Sequence, residues 1–242
     1  MARRSRLLLP GVACQVTQRG VDRHETFSSG QDRHTYLDLL RRNLEDANVR
    51  ILAWCLMSNH VHLIAVPGRP DSLSVLMRRV QGPYAQYYNA HAGRTGHLWQ
   101  NRFFACMLAP SHLWTALAYV ERNPLRAKIV RRAEDYVWSS AIAHVTTGDG
   151  SGLLDMEWWR RAGRTDWREV LNRKVGTDEE LSAQHELQAC TFAERPFGDE
   201  VFVDEIAHRV GCHWKRGRPS KRSTLKPHER AAQFSLFRTP SS

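Results

Sequence analysis

An α+β fold, one antiparallel sheet with helices laid on one face, is predicted by three observations. Ile51 to Val66 is an apolar run long enough for two strands and broken only at Ser58-Asn59. Apolar residues recur at helical spacing on either side of it, in Tyr36-Leu37-Leu39-Leu40-Leu44 and in Leu73-Leu76-Met77-Val80-Tyr84. Strand-like segments flank both helical stretches, at Val12 to Arg19 and at Leu98 to Leu108.

In chain order, Val12 to Arg19 alternates weakly as a first strand, and a helix follows through about Asn48. Ile51 to Met57 and His60 to Val66 form a hairpin around the tight Ser58-Asn59 turn. Ser72 opens a second helix, which Gly82-Pro83 is expected to interrupt before Tyr87 and Tyr88. After the turn Gly93-Arg94-Thr95-Gly96, Leu98 to Leu108 is the last strand. The order β, α, β, β, α, β is the ferredoxin-like (RRM-like) split arrangement. Ser111, after Pro110, is expected to cap a further helix whose buried stripe is Leu113, Ala116, Leu117 and Val120. At about 100° per residue, His112, Tyr119 and Asn123 then share a polar face, with Tyr119 exposed on it. Pro124 ends that helix, so Asn123 is either a functional side chain or only a turn and cap residue.

Three segments are expected: a main domain over 1–145, a smaller helical region over 146–214, and a basic, poorly ordered tail over 215–242. The helical region opens with a Gly/Ser/Asp loop, continues through a Trp- and Arg-rich stretch, and shows helical texture at Glu179 to Ala193 and Asp204 to Val210.

The formal net charge of +10, carried more by Arg than Lys, favours a polyanionic partner over an acidic small molecule. No stretch is long and apolar enough to span a bilayer, and no signal peptide is evident, so a membrane role is excluded and a cytoplasmic, nucleoid-associated location expected. The five cysteines are scattered with no C-x-x-C pair, which suits reduced thiols and argues against a zinc ribbon. Between Asp71 and Glu121 there is no carboxylate, where composition would place about five. Arg78, Arg79, Arg94 and Arg102 stand there among Tyr84, Tyr87, Tyr88, Trp99 and Phe103. Cations that track phosphates and rings that stack on bases suit single-stranded nucleic acid; the alternative is that the rings are core. Arg216-Gly217-Arg218-Pro219 resembles a minor-groove AT-hook, against the alternative of a solvated basic tail.

His60 and His62, two apart on one strand, project from the same face and make half of a metal site, or else a pair of core histidines. With a divalent cation there, most coordination positions stay open for phosphate oxygens and water, and the Asn123 amide oxygen offers a third protein ligand. Tyr119, one helical turn before Asn123, is a candidate nucleophile once a nearby cation activates its phenol; otherwise it is a surface tyrosine.

Four ordered segments bear on those alternatives: Pro10-Gly11-Val12 with Gln18-Arg19-Gly20, Trp54 to Ile64 around Asn59-His60-Val61-His62, Gly93 to Phe103 through His97-Leu98-Trp99-Gln100-Asn101-Arg102, and Tyr119-Val120-Glu121-Arg122-Asn123-Pro124. Together, over about residues 5 to 145 and with Tyr136 to Ser140, they closely resemble the single-tyrosine HUH transposases, and among them the REP-associated tyrosine transposases. The resemblance implies that His60, His62 and Asn123 bind Mg²⁺ or Mn²⁺ and that Tyr119 is the nucleophile. The implied reaction nicks and rejoins single-stranded DNA at hairpins through a 5′-phosphotyrosine. Arg19, Arg78, Arg79, Arg94, Trp99, Arg102, Arg216 and Arg218 are the expected DNA contacts. A homodimer with a tyrosine working in trans stays open, as does a domesticated protein that binds palindromic repeats without cutting. Gln15 stands where the family commonly has histidine, and Ser58 where it commonly has proline.

Overall fold

The computed structural model describes residues 8–146, 148–162, 165–212 and Trp214. Strands β1 (Cys14–Arg19), β2 (Val49–Leu56), β3 (His60–Pro67) and β4 (Phe104–Met107) form one fully antiparallel sheet in the order β2-β3-β1-β4. Helices α1 (Gly30–Ala47) and α2 (Ser72–His91) make the two crossovers, which completes the predicted split arrangement.

Alternation along the strands sorts side chains onto two faces. Cys14, Val16, Val61, Leu63 and Ala65 meet Tyr36, Leu40, Leu73, Leu76 and Tyr84 of α1 and α2 in the first core. Each such aliphatic side chain, once fully buried, contributes about 1.5–3 kcal/mol. Helix α1 starts earlier than the apolar spacing indicates, because Ser29 and Asp32 form a capping box: Asp32 N–H donates to Ser29 Oγ while Asp32 Oδ2 accepts from the Ser29 N–H. Helix α2 runs unbroken through Gly82-Pro83. Pro83 is exposed, so the carbonyl it leaves without a partner can hydrate, and the stripe from Leu73 to Tyr88 stays buried on both sides of it.

The second face carries Ile64, Val66 and Cys106, and on it lie α3 (Pro110–Glu121), α4 (Asn123–Arg126), α5 (Ala141–Thr146), α6 (Met156–Ala162), α7 (Trp167–Asn172) and α8 (Asp178–Phe192), followed by α9 (Glu200–Val210). Trp114, Trp159, Trp167 and Leu187 fill this second core, so the Trp-rich stretch packs onto the strands beside α3. Glu121, at 0% exposure, accepts hydrogen bonds from Ser140 Oγ and Trp167 Nε1 (2.8 Å) and lies 2.6 Å from His144 Nδ1. That network pins the C-terminal end of α3.

Two expectations about α3 and its approach are corrected. Helix α3 begins at Pro110, with Ala109 rather than Ser111 as its cap, since proline presets the first helical φ and has no N–H to satisfy. The last strand is confined to Phe104–Met107, because residues 98–103 instead fold across the end of β1: Val21 N–H donates to Leu98 O, and Gln100 N–H to Arg19 O (3.0 Å). Gly20 is required at that crossing, as a Cβ would stand 2.5 Å from the His24 carbonyl oxygen.

Candidate active site

The register β1–β3 pairs Thr17 with His62 and Arg19 with His60, so all four side chains emerge on the second face of the sheet. Phe104, opposite Thr17 on β4, joins them there. Together with Gln15, Gln18, Gln100, Asn101 and Arg102, and with residues of α3, α4 and α8, they line a cleft of about 270 Å³.

The His60 and His62 ring centroids are 4.9 Å apart and nearly perpendicular. Asn59 Nδ2 donates to Arg23 O, which turns its Oδ1 onto His60 Nδ1 at 2.6 Å. His60 Nδ1 is therefore the protonated nitrogen, and Nε2 keeps its lone pair for a cation. Burial first, then the charges of Arg19 and Arg126, push His60 down to about 4. Burial likewise holds His62 well below the ordinary imidazole range, with His60, Arg126 and Arg19 adding to it. Both rings are neutral near pH 7, so no proton competes with a metal.

Tyr119 reaches this pair: its ring lies 5.5 Å from that of His62, again perpendicular. Contrary to the exposed placement expected from the helical wheel, it is only 5% exposed, because α8 crosses over it. Gln188 Nε2 donates to the Tyr119 hydroxyl at 2.9 Å. The Arg126 guanidinium stacks on the other side, 4.4 Å from the ring centroid, and donates to the Tyr119 carbonyl. Helix α8 is held in place by the Arg122–Glu180 ion pair (3.2 Å) and by the Cys106–Thr191 contact (3.2 Å).

Asn123 opens α4, with Nδ2 donating to the Tyr119 and Val120 carbonyls, which leaves its Oδ1 for the cleft. It is thus both a turn residue and a lining residue. Buried Gln15 Oε1, Gln18 Oε1 and His62 Nδ1 have no hydrogen-bond partner. Unpartnered buried acceptors of this kind fit a bound cation with its water. No cluster of three His, Cys, Asp or Glu exists among the described residues, so further protein ligands beside the imidazoles would be amide oxygens.

Not every expected DNA contact converges here. Arg19 and Arg102 line the cleft. Arg78 and Arg79 lie on α2, across the sheet, where Arg79 pairs with Asp46 (2.9 Å). Arg94 belongs to the turn after α2, its N–H donating to Asn89 O. Trp99 packs beside Tyr84 and Tyr36 with Nε1 donating to Gln81 O, and Tyr84, Tyr88 and Phe103 are buried in the first core. Arg216 and Arg218 lie outside the described residues. His112, expected beside Tyr119, instead packs against Phe197 at 4.6 Å. Arg126 and Gln188 escaped the sequence reading. Arg126, two helical turns past Tyr119, had a spacing that pointed to it; Gln188 had no local signal. No helix among the described residues is long and apolar enough to cross a membrane.

The family model described as "Transposase IS200 like" matches residues 13–123. A solved structure of a REP-associated tyrosine transposase bound to a REP hairpin shares the fold, with TM-score 0.51 and 20% identity over 68% of this chain and 93% of that one. A candidate transposase from Deinococcus radiodurans R1 superposes less well, with TM-score 0.35 and 14% identity over 53% and 92% of the two chains. No curated protein sequence matches.

Proposed function

We propose, from the match of residues 13–123 to the IS200-like transposase family model, that this chain cuts and rejoins single-stranded DNA beside hairpins, with Tyr119 as nucleophile. The observation that carries the reading is the convergence of the Tyr119 ring on His62 and of His62 on His60, at 5.5 and 4.9 Å. The Tyr119 oxygen attacks the phosphorus; the Oη–P bond forms and the P–O3′ bond breaks. The phenolic proton is lost, the 3′-oxygen leaves as a hydroxyl, and the 5′-phosphate stays on the tyrosine. Attack by a 3′-hydroxyl reverses the step and joins strands.

His60, His62 and the Asn123 amide oxygen would hold Mg²⁺ or Mn²⁺, which supplies Lewis-acid polarisation of a non-bridging phosphate oxygen. Imidazoles favour Mn²⁺ of the two, while the amide and phosphate oxygens suit either. Arg19 and Arg102 neutralise the incoming phosphates. Arg126 fixes the ring plane, and Gln188 fixes the hydroxyl by donating to it, so its proton points away from α8.

Incubation of the intact chain with Mn²⁺ and a library of single-stranded hairpins with randomised flanks should give a covalent adduct on a denaturing gel. Tyr119→Phe should abolish it, a loss of about 10³-fold or more, while leaving DNA binding intact. Absence of any adduct from the wild-type chain would overturn the reading. The burial of Tyr119 beneath α8 favours one second reading, a repeat-binding protein that no longer cuts. Binding without metal dependence and without adduct would be its signature.

A further inference from the structure

We infer that Phe192 is a stacking platform for an unpaired base next to the scissile phosphate, making α8 the substrate-side wall of the cleft. This rests on the single-stranded-DNA reading above and adds a contact outside the segment that the family model matches. Phe192 is 55% exposed at the C-terminal end of α8, although Leu187 and Thr191 beside it are buried. An aromatic ring left in water forgoes the burial that Phe197, on the same side of the molecule, obtains in full. Phe192 stands at the cleft, 5.2 Å from Phe104 at 77°, one helical turn beyond Gln188, which holds the Tyr119 hydroxyl.

The chemistry around it selects the occupant. None of the residues lining the cleft is a carboxylate, while Arg19 and Arg102 line it together with the amides of Gln100 and Asn101. Cations for phosphates beside an exposed ring for a base are the two halves of single-strand recognition. A protein partner fits worse, because none of the other exposed large apolar residues among those described, such as Val137 and Val201, lines the cleft with Phe192. Stacking accepts any of the four bases, so Phe192 would strengthen binding of the flank without dictating its sequence.

The test compares oligo(dT) with an abasic oligomer of equal length and phosphate number, by fluorescence anisotropy on the intact, metal-free chain. Phosphate contacts, including any from the basic run Lys215 to Arg222, count equally for both oligomers. Wild type should prefer oligo(dT); Phe192→Leu should weaken oligo(dT) binding about tenfold and leave the abasic oligomer unchanged, and Phe192→Trp should restore the preference. Equal weakening of both oligomers by Phe192→Leu, or no effect on either, overturns the inference while the adduct experiment still judges the nuclease reading separately. Failure of the wild-type chain to bind either oligomer overturns the inference and the single-strand reading together.

Discussion

On the α1/α2 face of the sheet, strand residues such as Val16, Val61 and Leu63 bury only apolar surface; on the α3/α8 face the same strands present Gln15, Thr17, His60 and His62. The first face is closed by an aromatic cluster in which Phe27, Tyr36 and Tyr84 pack at 5.0–5.3 Å, with the Tyr84 hydroxyl donating to the Thr26 carbonyl. The second leaves Gln15 Oε1 and His62 Nδ1 buried and unpartnered, and Gln18 Oε1, at the end of β1, joins them at the cleft. Each such orphan costs about 1–3 kcal/mol. Orphaned buried atoms occur on the first face as well, at Tyr36 Oη and Trp54 Nε1, but those on the second gather around one cleft beside the His pair, so that face serves chemistry as well as folding.

The Glu121 network on the second face, which pins the end of the helix that carries Tyr119, is the sharpest point of comparison. Glu121→Ala leaves His144 and Trp167 Nε1 facing an empty, buried site and should cost about 3–5 kcal/mol in urea unfolding. Leu40→Ala on the other face should cost about 2–5 kcal/mol through its cavity alone. The two should differ in consequence: Glu121→Ala also loosens the end of α3 that carries Tyr119, so adduct formation in the surviving folded protein should fall, whereas Leu40→Ala should leave it unchanged. Equal adduct rates per folded molecule in the two variants would break the division of labour between the faces.

Gln188→Met should have the next largest effect. It keeps the side-chain volume of α8 but removes the only hydrogen bond that reaches the Tyr119 hydroxyl among the described contacts. Single-turnover adduct formation should slow about tenfold with DNA affinity unchanged, the pattern of a positioning residue. Faster adduct formation would instead make α8 a cover that must lift. His62→Leu should abolish metal-dependent cutting yet raise stability by about 1 kcal/mol, because it deletes a buried nitrogen with no partner.

What the sequence made legible follows the same division. The hairpin, its turn, the order of elements along the chain and the stripes of α1 and α2 were readable because apolar alternation and helical spacing are local signals. His60 and His62 were readable for the same reason, since one strand fixes both. Pro83 misled because packing of the Leu73 to Tyr88 stripe outweighs a local break in hydrogen bonding. The burial of Tyr119 was not readable, since it depends on a helix 69 residues further along, and a lone Gln188 in a polar helix looks like any solvated residue. Phe192 carried no signal of its own either, as nothing local tells an apolar residue left in water at a helix end from one packed in the core.

Acid should separate the two faces by the smallest effect. His60 is held at about 4 in the folded chain, chiefly by burial, while an unfolded histidine titrates near ~6.5. Between those values the unfolded chain binds a proton that the folded chain excludes, so stability falls as pH drops. The contribution of His60 is complete above about 6.5 and is lost progressively toward 4; His62, lowered for the same first cause, acts in the same direction. In the metal-free chain, the urea midpoint should therefore drop more between about pH 7.5 and 5 in wild type than in a His60→Leu/His62→Leu variant. Leu40→Ala should lower the midpoint while keeping the full wild-type pH dependence, because nothing on its face of the sheet exchanges a proton with the His pair. A double-leucine variant as acid-sensitive as wild type would show that the imidazoles are not desolvated, and the contrast between a dry core face and a strained polar face would have to be given up.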